Sequence, residues 1–401
     1  MLVFFFPVDG PGGVQSLIIN ISKWANIKNE YVKIIDKDDG YVKNQLDNEN
    51  IIYKYININN SNLSEHITKD DVFITTGYNI HIDYFKLYKT KCKIIFWQVF
   101  PTTPVDIFRL RLIFQKKEYS ERNIVTKFLI KNFVKIFLAH NAYLIMESSS
   151  TLFNPRIFFK SPILMPIPII IDNHIDKTNR KKTISNLCYI GRFENWKNTS
   201  LLRILDDINK HNNNKENKLL LTVVTNNIKK TKKLIFDHQL NDSNVNYYEN
   251  LTKETLKTLL KNNIDAVFAM GTSLLDSASL GIPSVIASAS YKEILEDKYY
   301  VLLNETYGAN LAFPNFIFKE NQGKYNFEEV LKKINSFDAG MACYNYVKEN
   351  HSMDIIYERL MMVCKESNLN IHKLHVMRYY FYFKIMCSNL FRRIIKKMKS
   401  R

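Results

Sequence analysis

Apolar residues recur along this chain in short unbroken runs, separated by stretches in which they return every three or four positions. Leu2–Phe6 is the first run, and Tyr31–Ile35, Ile51–Ile56, Val72–Thr75 and Lys93–Val99 repeat it. Leu2–Phe6 is apolar throughout and the others are mostly so, as strands buried on both faces of a parallel sheet tend to be. Between the first two, Val14, Leu17, Ile18, Ile21, Trp24 and Ala25 share one face of a predicted helix. The stretch from Phe158 to Ile171 is rich in proline and reads as an extended linker. The alternation then restarts, with predicted strands at Leu187–Ile190, Leu219–Thr225, Val245–Tyr248, Ala266–Ala269 and Ser284–Ala287. Helical spacing fills the gaps at Ser200–Asn209, Lys230–His238, Lys253–Asn262 and Leu274–Leu280. Two successive blocks of alternating strands and helices predict an α/β protein with two doubly wound, mostly parallel sheets, Rossmann-like in type, facing a cleft. The expected division is residues 1–165, residues 166–355, and a C-terminal crossing helix with a basic tail over residues 356–401.

Composition agrees with folded domains: of 401 residues, 46% are hydrophobic and 24% charged, which argues against global disorder. The five cysteines, Cys92, Cys188, Cys343, Cys364 and Cys387, form no CxxC pair and have no histidine at ligand spacing. They read as reduced buried thiols, not as a disulfide framework or a zinc site. The apolar start Met1-Leu2-Val3-Phe4-Phe5-Phe6-Pro7 lacks a basic lead and a small-residue cleavage site, so a strand is expected there in place of a signal peptide. No apolar run approaches the roughly 20 residues of a membrane span.

The candidate chemistry lies in two segments of the second block. Gly191-Arg192-Phe193-Glu194-Asn195-Trp196-Lys197-Asn198 follows an apolar strand and sets an Arg and a Lys five positions apart. Met270-Gly271-Thr272-Ser273-Leu274-Leu275-Asp276 breaks a strand at Gly271 and restarts as a helix with an early acid. Two fixed cations beside a glycine-opened helix N-terminus, with free backbone amides, are what a diphosphate needs. Each segment also has a plain structural reading. Arg192 and Lys197 could be a surface cation pair after a strand, and Thr272 and Ser273 suit a helix N-terminus whatever the function.

The two-block organisation, the glycine turn after the first strand (Gly10, Gly12, Gly13) and the two segments together resemble a GT-B fold glycosyltransferase, and more specifically family 4. The resemblance spans the chain in organisation but is specific in sequence only in the second half. It implies a retaining, metal-independent enzyme whose donor is a nucleoside diphosphate sugar. In the family, the residues matching Arg192 and Lys197 hold the donor diphosphate and stabilise its charge as the sugar leaves. The physical need is clear: the glycosidic bond breaks toward an oxocarbenium-like state, and side chains and a helix end supply the charge a metal would otherwise bring. The resemblance places amides of Gly271, Thr272, Ser273 and Leu274 on phosphate, Asp276 on the ribose, and the Gly12–Gly13 turn against donor and acceptor. A structural turn is the competing reading for Gly12 and Gly13.

The chain departs from the family at two places. The acid that precedes Asp276 by eight positions, expected to read the sugar, is replaced by Phe268, which accepts no hydrogen bond, and Thr272 or backbone amides are the substitutes at hand. No histidine stands at the end of a middle strand of the first block, where Gln98 is the polar candidate and His81 lies beyond.

Charge adds a partner. The chain carries +17, of which +15 sits in two segments. Arg109–Phe137 holds eight cations against Glu118 and Glu121, and Lys373–Arg401 holds nine cations and no acid. Both interleave cations with aromatic and aliphatic residues, which suits an anionic headgroup layer. Nucleic acid is the rival for such patches, but no nucleic-acid-binding motif is present, and none is expected as a partner. The expectation is thus a hexosyltransferase for surface polysaccharide, peripheral on the inner face of the cell membrane, acting on a glycan or lipid-linked acceptor. An inverting GT-B enzyme, a nucleotide-sugar epimerase and a non-catalytic GT-B-like binding protein are the alternatives.

Overall fold

A computed structural model describes residues 1–7, 10, 12–59, 63–77, 80–101, 103–108, 124–153, 158, 160–171, 184–314, 322–336 and 338–382. The chain forms two compact units. One comprises Met1–Pro168 together with the chain from Ile356 onward, and the other is Ile169–Ile355. The first resumes inside the helix Met353–Glu366, so the described residues from Ile356 to Tyr382 belong with the N-terminal sheet.

The first unit holds a seven-stranded, wholly parallel sheet: β1 (Leu2–Phe5), β2 (Val32–Asp36), β3 (Lys54–Asn57), β4 (Val72–Thr75), β5 (Lys93–Gln98), β6 (Tyr143–Ile145) and β7 (Ile163–Leu164). Its order is β3-β2-β1-β4-β5-β6-β7. Leu2, Val3, Phe4 and Phe5 are all buried, which is why the run is continuous and does not alternate. The Pro-rich stretch is not purely a linker, because Ile163 and Leu164 pair with β6. The third predicted strand starts three residues late, at Lys54, leaving Ile52 exposed. Residues near the C-terminus close one end of this sheet: the Ile94 amide donates to the Leu369 carbonyl (2.8 Å) and the Ile371 amide to that of Cys92 (3.0 Å). Phe381 is fully buried against Tyr84, ring centroids 5.5 Å apart.

The second unit holds β8 (Asn186–Ile190), β9 (Leu220–Thr225), β10 (Val245–Glu249), β11 (Ala266–Ala269), β12 (Ser284–Ile286) and β13 (Val301–Leu302). The order is β10-β9-β8-β11-β12-β13, parallel but for β13, which runs antiparallel to β12. Alternate residues Leu187 and Tyr189, Leu221 and Val223, and Ala266 and Phe268 enter one hydrophobic core with Leu201, Ile204, Leu205 and Ile208 of the helix Asn195–Asn214. That helix starts five residues before the predicted Ser200, with consequences for the site. The described cysteines, Cys92, Cys188, Cys343 and Cys364, are free and buried. Among the described residues no helix is long and apolar enough to cross a membrane.

Candidate functional site

In the second unit the strand order reverses between β8 and β11, since β8 leads outward to β9 and β10 on one side while β11 leads to β12 on the other. Ligands of open α/β sheets bind outside the carboxyl ends of the strands at such a reversal. Both candidate segments start there. Ile190 is paired with Ala269 across β8 and β11, and neighbouring strands run about 4.8 Å apart. Gly191 is the residue after Ile190, and Gly271 lies two beyond Ala269. Segments 80 residues apart in sequence are therefore adjacent in the sheet.

Arg192 occupies the loop after β8 and is 57% exposed, its guanidinium 3.2 Å from the Glu194 carboxylate. Lys197 is in the first turn of the helix Asn195–Asn214, ahead of the helix start expected at Ser200. Local anchors hold this turn. The Tyr189 hydroxyl donates to the Lys197 carbonyl (3.0 Å), the Phe193 amide to the Asn226 side-chain oxygen (2.7 Å), and the Gly191 amide to the Val224 carbonyl (3.0 Å). Gly191 has a steric purpose, because a Cβ there would stand 2.6 Å from the Tyr189 hydroxyl. Beyond the sheet reversal, the Ser290 amide donates to the Trp196 carbonyl (2.9 Å), and the Thr199 hydroxyl donates to the Ser290 carbonyl (2.7 Å). The Lys197 ammonium lies 4.9 Å from the centre of the Trp196 ring. Burial holds its pKa down at about 8, with the Glu194 charge opposing that fall and Arg192 adding to it. A cation that is poorly hydrated and near its pKa gains strongly from an incoming anion.

Gly271 has φ +66° and ψ −138°, a conformation essentially limited to glycine. This turn points the chain from β11 into the helix Thr272–Ala278. The first amides of a helix have no carbonyl partner within it, and those of Thr272 and Ser273 are in that position. Gly271 and Leu274 differ from the expectation: the Gly271 amide donates to the Leu311 carbonyl (3.1 Å), and the Leu274 amide donates to the Gly271 carbonyl (3.2 Å) with its side chain fully buried. Asp276 retains partial exposure, yet the surrounding protein raises its pKa above the ordinary carboxylate value, an effect the Lys253 charge opposes.

Phe268 sits in the body of β11, fully buried, its ring edge-on to Tyr300 at 5.5 Å. The position the resemblance assigns to a sugar-reading acid is thus a core position in this chain, and the side chain faces the hydrophobic cluster. Gln98, the polar candidate of the first unit, is equally occupied. It is fully buried, donates to the Phe100 and Pro101 carbonyls (3.1 and 2.8 Å) and accepts from the Tyr143 hydroxyl (2.7 Å). The side chain of His81 lies outside the described residues.

In the first unit the order reverses between β1 and β4, and the glycine turn follows β1. Gly12 precedes the helix Gly13–Ile27 in extended backbone. A Cβ on Gly12 would meet the Gln15 side-chain oxygen at 2.5 Å, and the Gln15 amide group donates to the Gly10 carbonyl (3.2 Å). Around Gly13 the space is open and the residue is exposed, so nothing of the fold itself demands a glycine there.

Sequence reasoning missed Glu194, Trp196 and Asn226 as parts of the site. Asn226 carried no local signal, because only the pairing of β8 with β9 brings it to Phe193.

The whole-chain fold matches solved glycosyltransferases. A glycosyltransferase from Rickettsia africae ESF-5 aligns over 91% of this chain and 97% of its own, at 15% identity and a TM-score of 0.59. Anabaena HepE in complex with UDP-glucose aligns over 91% and 99%, at 11% identity and a TM-score of 0.58. The lipopolysaccharide outer core galactosyltransferase WaaB aligns over 90% and 99%, at 12% identity and a TM-score of 0.53. No protein-family model matches the chain, and no curated protein sequence does. The likeness is therefore one of fold, and the fold is GT-B.

Proposed function

We propose that this chain is a retaining glycosyltransferase that moves a hexose-type sugar from a nucleoside diphosphate donor to a glycan or lipid-linked acceptor of a surface polysaccharide. The observation that carries this reading is that the segment bearing Arg192 and Lys197 and the Gly271 turn leave the ends of adjacent strands, where the sheet order reverses. The donor diphosphate lies against Arg192, Lys197 and the Thr272 and Ser273 amides, with Asp276 on the ribose. As the bond between the anomeric carbon and the diphosphate oxygen breaks, its electron pair goes to that oxygen, and the two cations stabilise the charge. The acceptor hydroxyl adds to the same face of the sugar, and its proton passes to the departing diphosphate. The charge comes from side chains and backbone in this mechanism, which makes no use of a metal or other cofactor. With Phe268 in the core, sugar hydroxyls are read by Thr272 or by backbone amides. UDP is the first nucleotide to test, since HepE holds UDP-glucose.

For a lipid-linked acceptor the enzyme works at the inner face of the cell membrane. Supporting this, the helix Ile124–Ala139 exposes Phe128, Lys131 and Lys135 along one face. Lys373, 3.1 Å from the His140 ring, leads into the exposed Val376, Arg378, Tyr379 and Tyr382. Residues 109–123 and 383–401 of the two basic segments lie outside the described residues.

Turnover of a nucleotide-sugar panel by Arg192→Ala and Lys197→Ala tests the reading. Each change is expected to lower turnover by 100-fold or more, on the order of other losses of charge stabilisation at a reacting centre. Unimpaired turnover in both variants overturns the mechanism.

A further inference from the structure

Glu194 is an acid in a place where the proposed substrate is an anion. It precedes the first residue of the helix Asn195–Asn214 in extended backbone, a position where short polar side chains usually cap the helix amides. Its side chain makes no capping hydrogen bond. It turns to Arg192 instead, carboxylate to guanidinium 3.2 Å, and its charge also acts on Lys197. Glu194 thus holds one cation of the clamp directly, and its charge reaches the other.

Resting on the diphosphate reading of this site, we infer that Glu194 is an internal stand-in for the diphosphate, a specificity residue that holds Arg192 in place while the site is empty and weakens the hold on the nucleoside diphosphate product. The pair is open to water, with the Arg192 and Glu194 side chains 57% and 31% exposed. An exposed ion pair is weak, so a diphosphate of greater charge displaces the carboxylate readily. Once displaced, Glu194 remains tethered beside the bound diphosphate and repels it. The repulsion is greatest on the separated product, which carries more negative charge than the intact donor. Release of the product is therefore favoured over release of the donor, and the clamp does not become a trap for its own leaving group.

Titration calorimetry with UDP, on the full chain, tests this. The variants are Glu194→Gln, which keeps the shape and removes the charge, together with Arg192→Ala and Lys197→Ala. Glu194→Gln is expected to bind UDP about fivefold tighter at low salt, the size of effect one partly screened charge produces. The advantage shrinks as salt is raised and the Debye length shortens, a response that a packing change would not give. Equal or weaker UDP binding by Glu194→Gln, with Arg192→Ala still weakening it, overturns the role of Glu194 and leaves the clamp standing. UDP binding unchanged in Arg192→Ala and Lys197→Ala overturns the clamp itself, and the role of Glu194 with it.

Discussion

Replacing Lys197 with methionine is expected to make the protein more stable and to remove its hold on a diphosphate. The side chain is half-buried beside the Trp196 ring, and its pKa falls from 10.5 to about 8. Holding a charge there costs the folded state about 1–3 kcal/mol at neutral pH. Methionine removes that cost and gives up a cation–aromatic contact of about 0.5–1 kcal/mol. The second unit, at 187 residues from Ile169 to Ile355, is of a size for which each kcal/mol moves the melting temperature by about 2–4 °C. A net rise of about 2–6 °C follows at neutral pH. The pH dependence fixes the cause. Between about 8 and 10.5 the unfolded chain keeps the Lys197 proton and the folded chain does not, so stability from this group rises with pH across that window. The methionine advantage should therefore shrink at about pH 9.5. Differential scanning calorimetry of both proteins at the two pH values, with and without UDP, makes the measurement. A variant less stable than its parent at neutral pH, or an advantage independent of pH, refutes the reasoning.

Three further outcomes follow from the same geometry. Gly271→Ala meets no neighbour, but its φ of +66° strains any side-chain-bearing residue, so urea unfolding should show a loss of about 1–3 kcal/mol. Phe268→Glu restores the family's acid in sequence but buries a charge in the core. It should destabilise by at least the roughly 3–5 kcal/mol of a phenylalanine truncation and gain no activity, and a stable, faster enzyme would return the position to the sugar site. Changing Phe128, Val376 and Tyr379 to serine should weaken co-sedimentation with vesicles of anionic lipid while leaving melting unchanged, and equal binding would remove this surface from the membrane account.

Much of the fold was legible because buried parallel strands advertise themselves. Leu2–Phe5, Val72–Thr75 and Ala266–Ala269 are apolar on both faces and stood out at nearly their final bounds. Ile163–Leu164 and Val301–Leu302 escaped notice, being two-residue strands whose pairing is supplied entirely by neighbours. The helix Asn195–Asn214 was placed too late because its first turn, Asn195-Trp196-Lys197-Asn198, has no apolar spacing. It is helical because hydrogen bonds from Ser290 and Tyr189 fix its carbonyls.

The sequence alone determined the two α/β blocks, the concentration of charge in two segments, and the residue types a diphosphate requires. Those follow from periodicity and composition, which are local properties of a chain. The tertiary structure decided what depends on pairing across long separations. Register along β8 and β11 brought the starts of the two candidate segments, Gly191 and Gly271, to the ends of adjacent strands, and packing against Tyr300 turned Phe268 from a site position into a core residue. Burial, which no single stretch of sequence displays, brought the Lys197 pKa down to about 8, and the fold of the loop after β8 set the Glu194 carboxylate 3.2 Å from the Arg192 guanidinium.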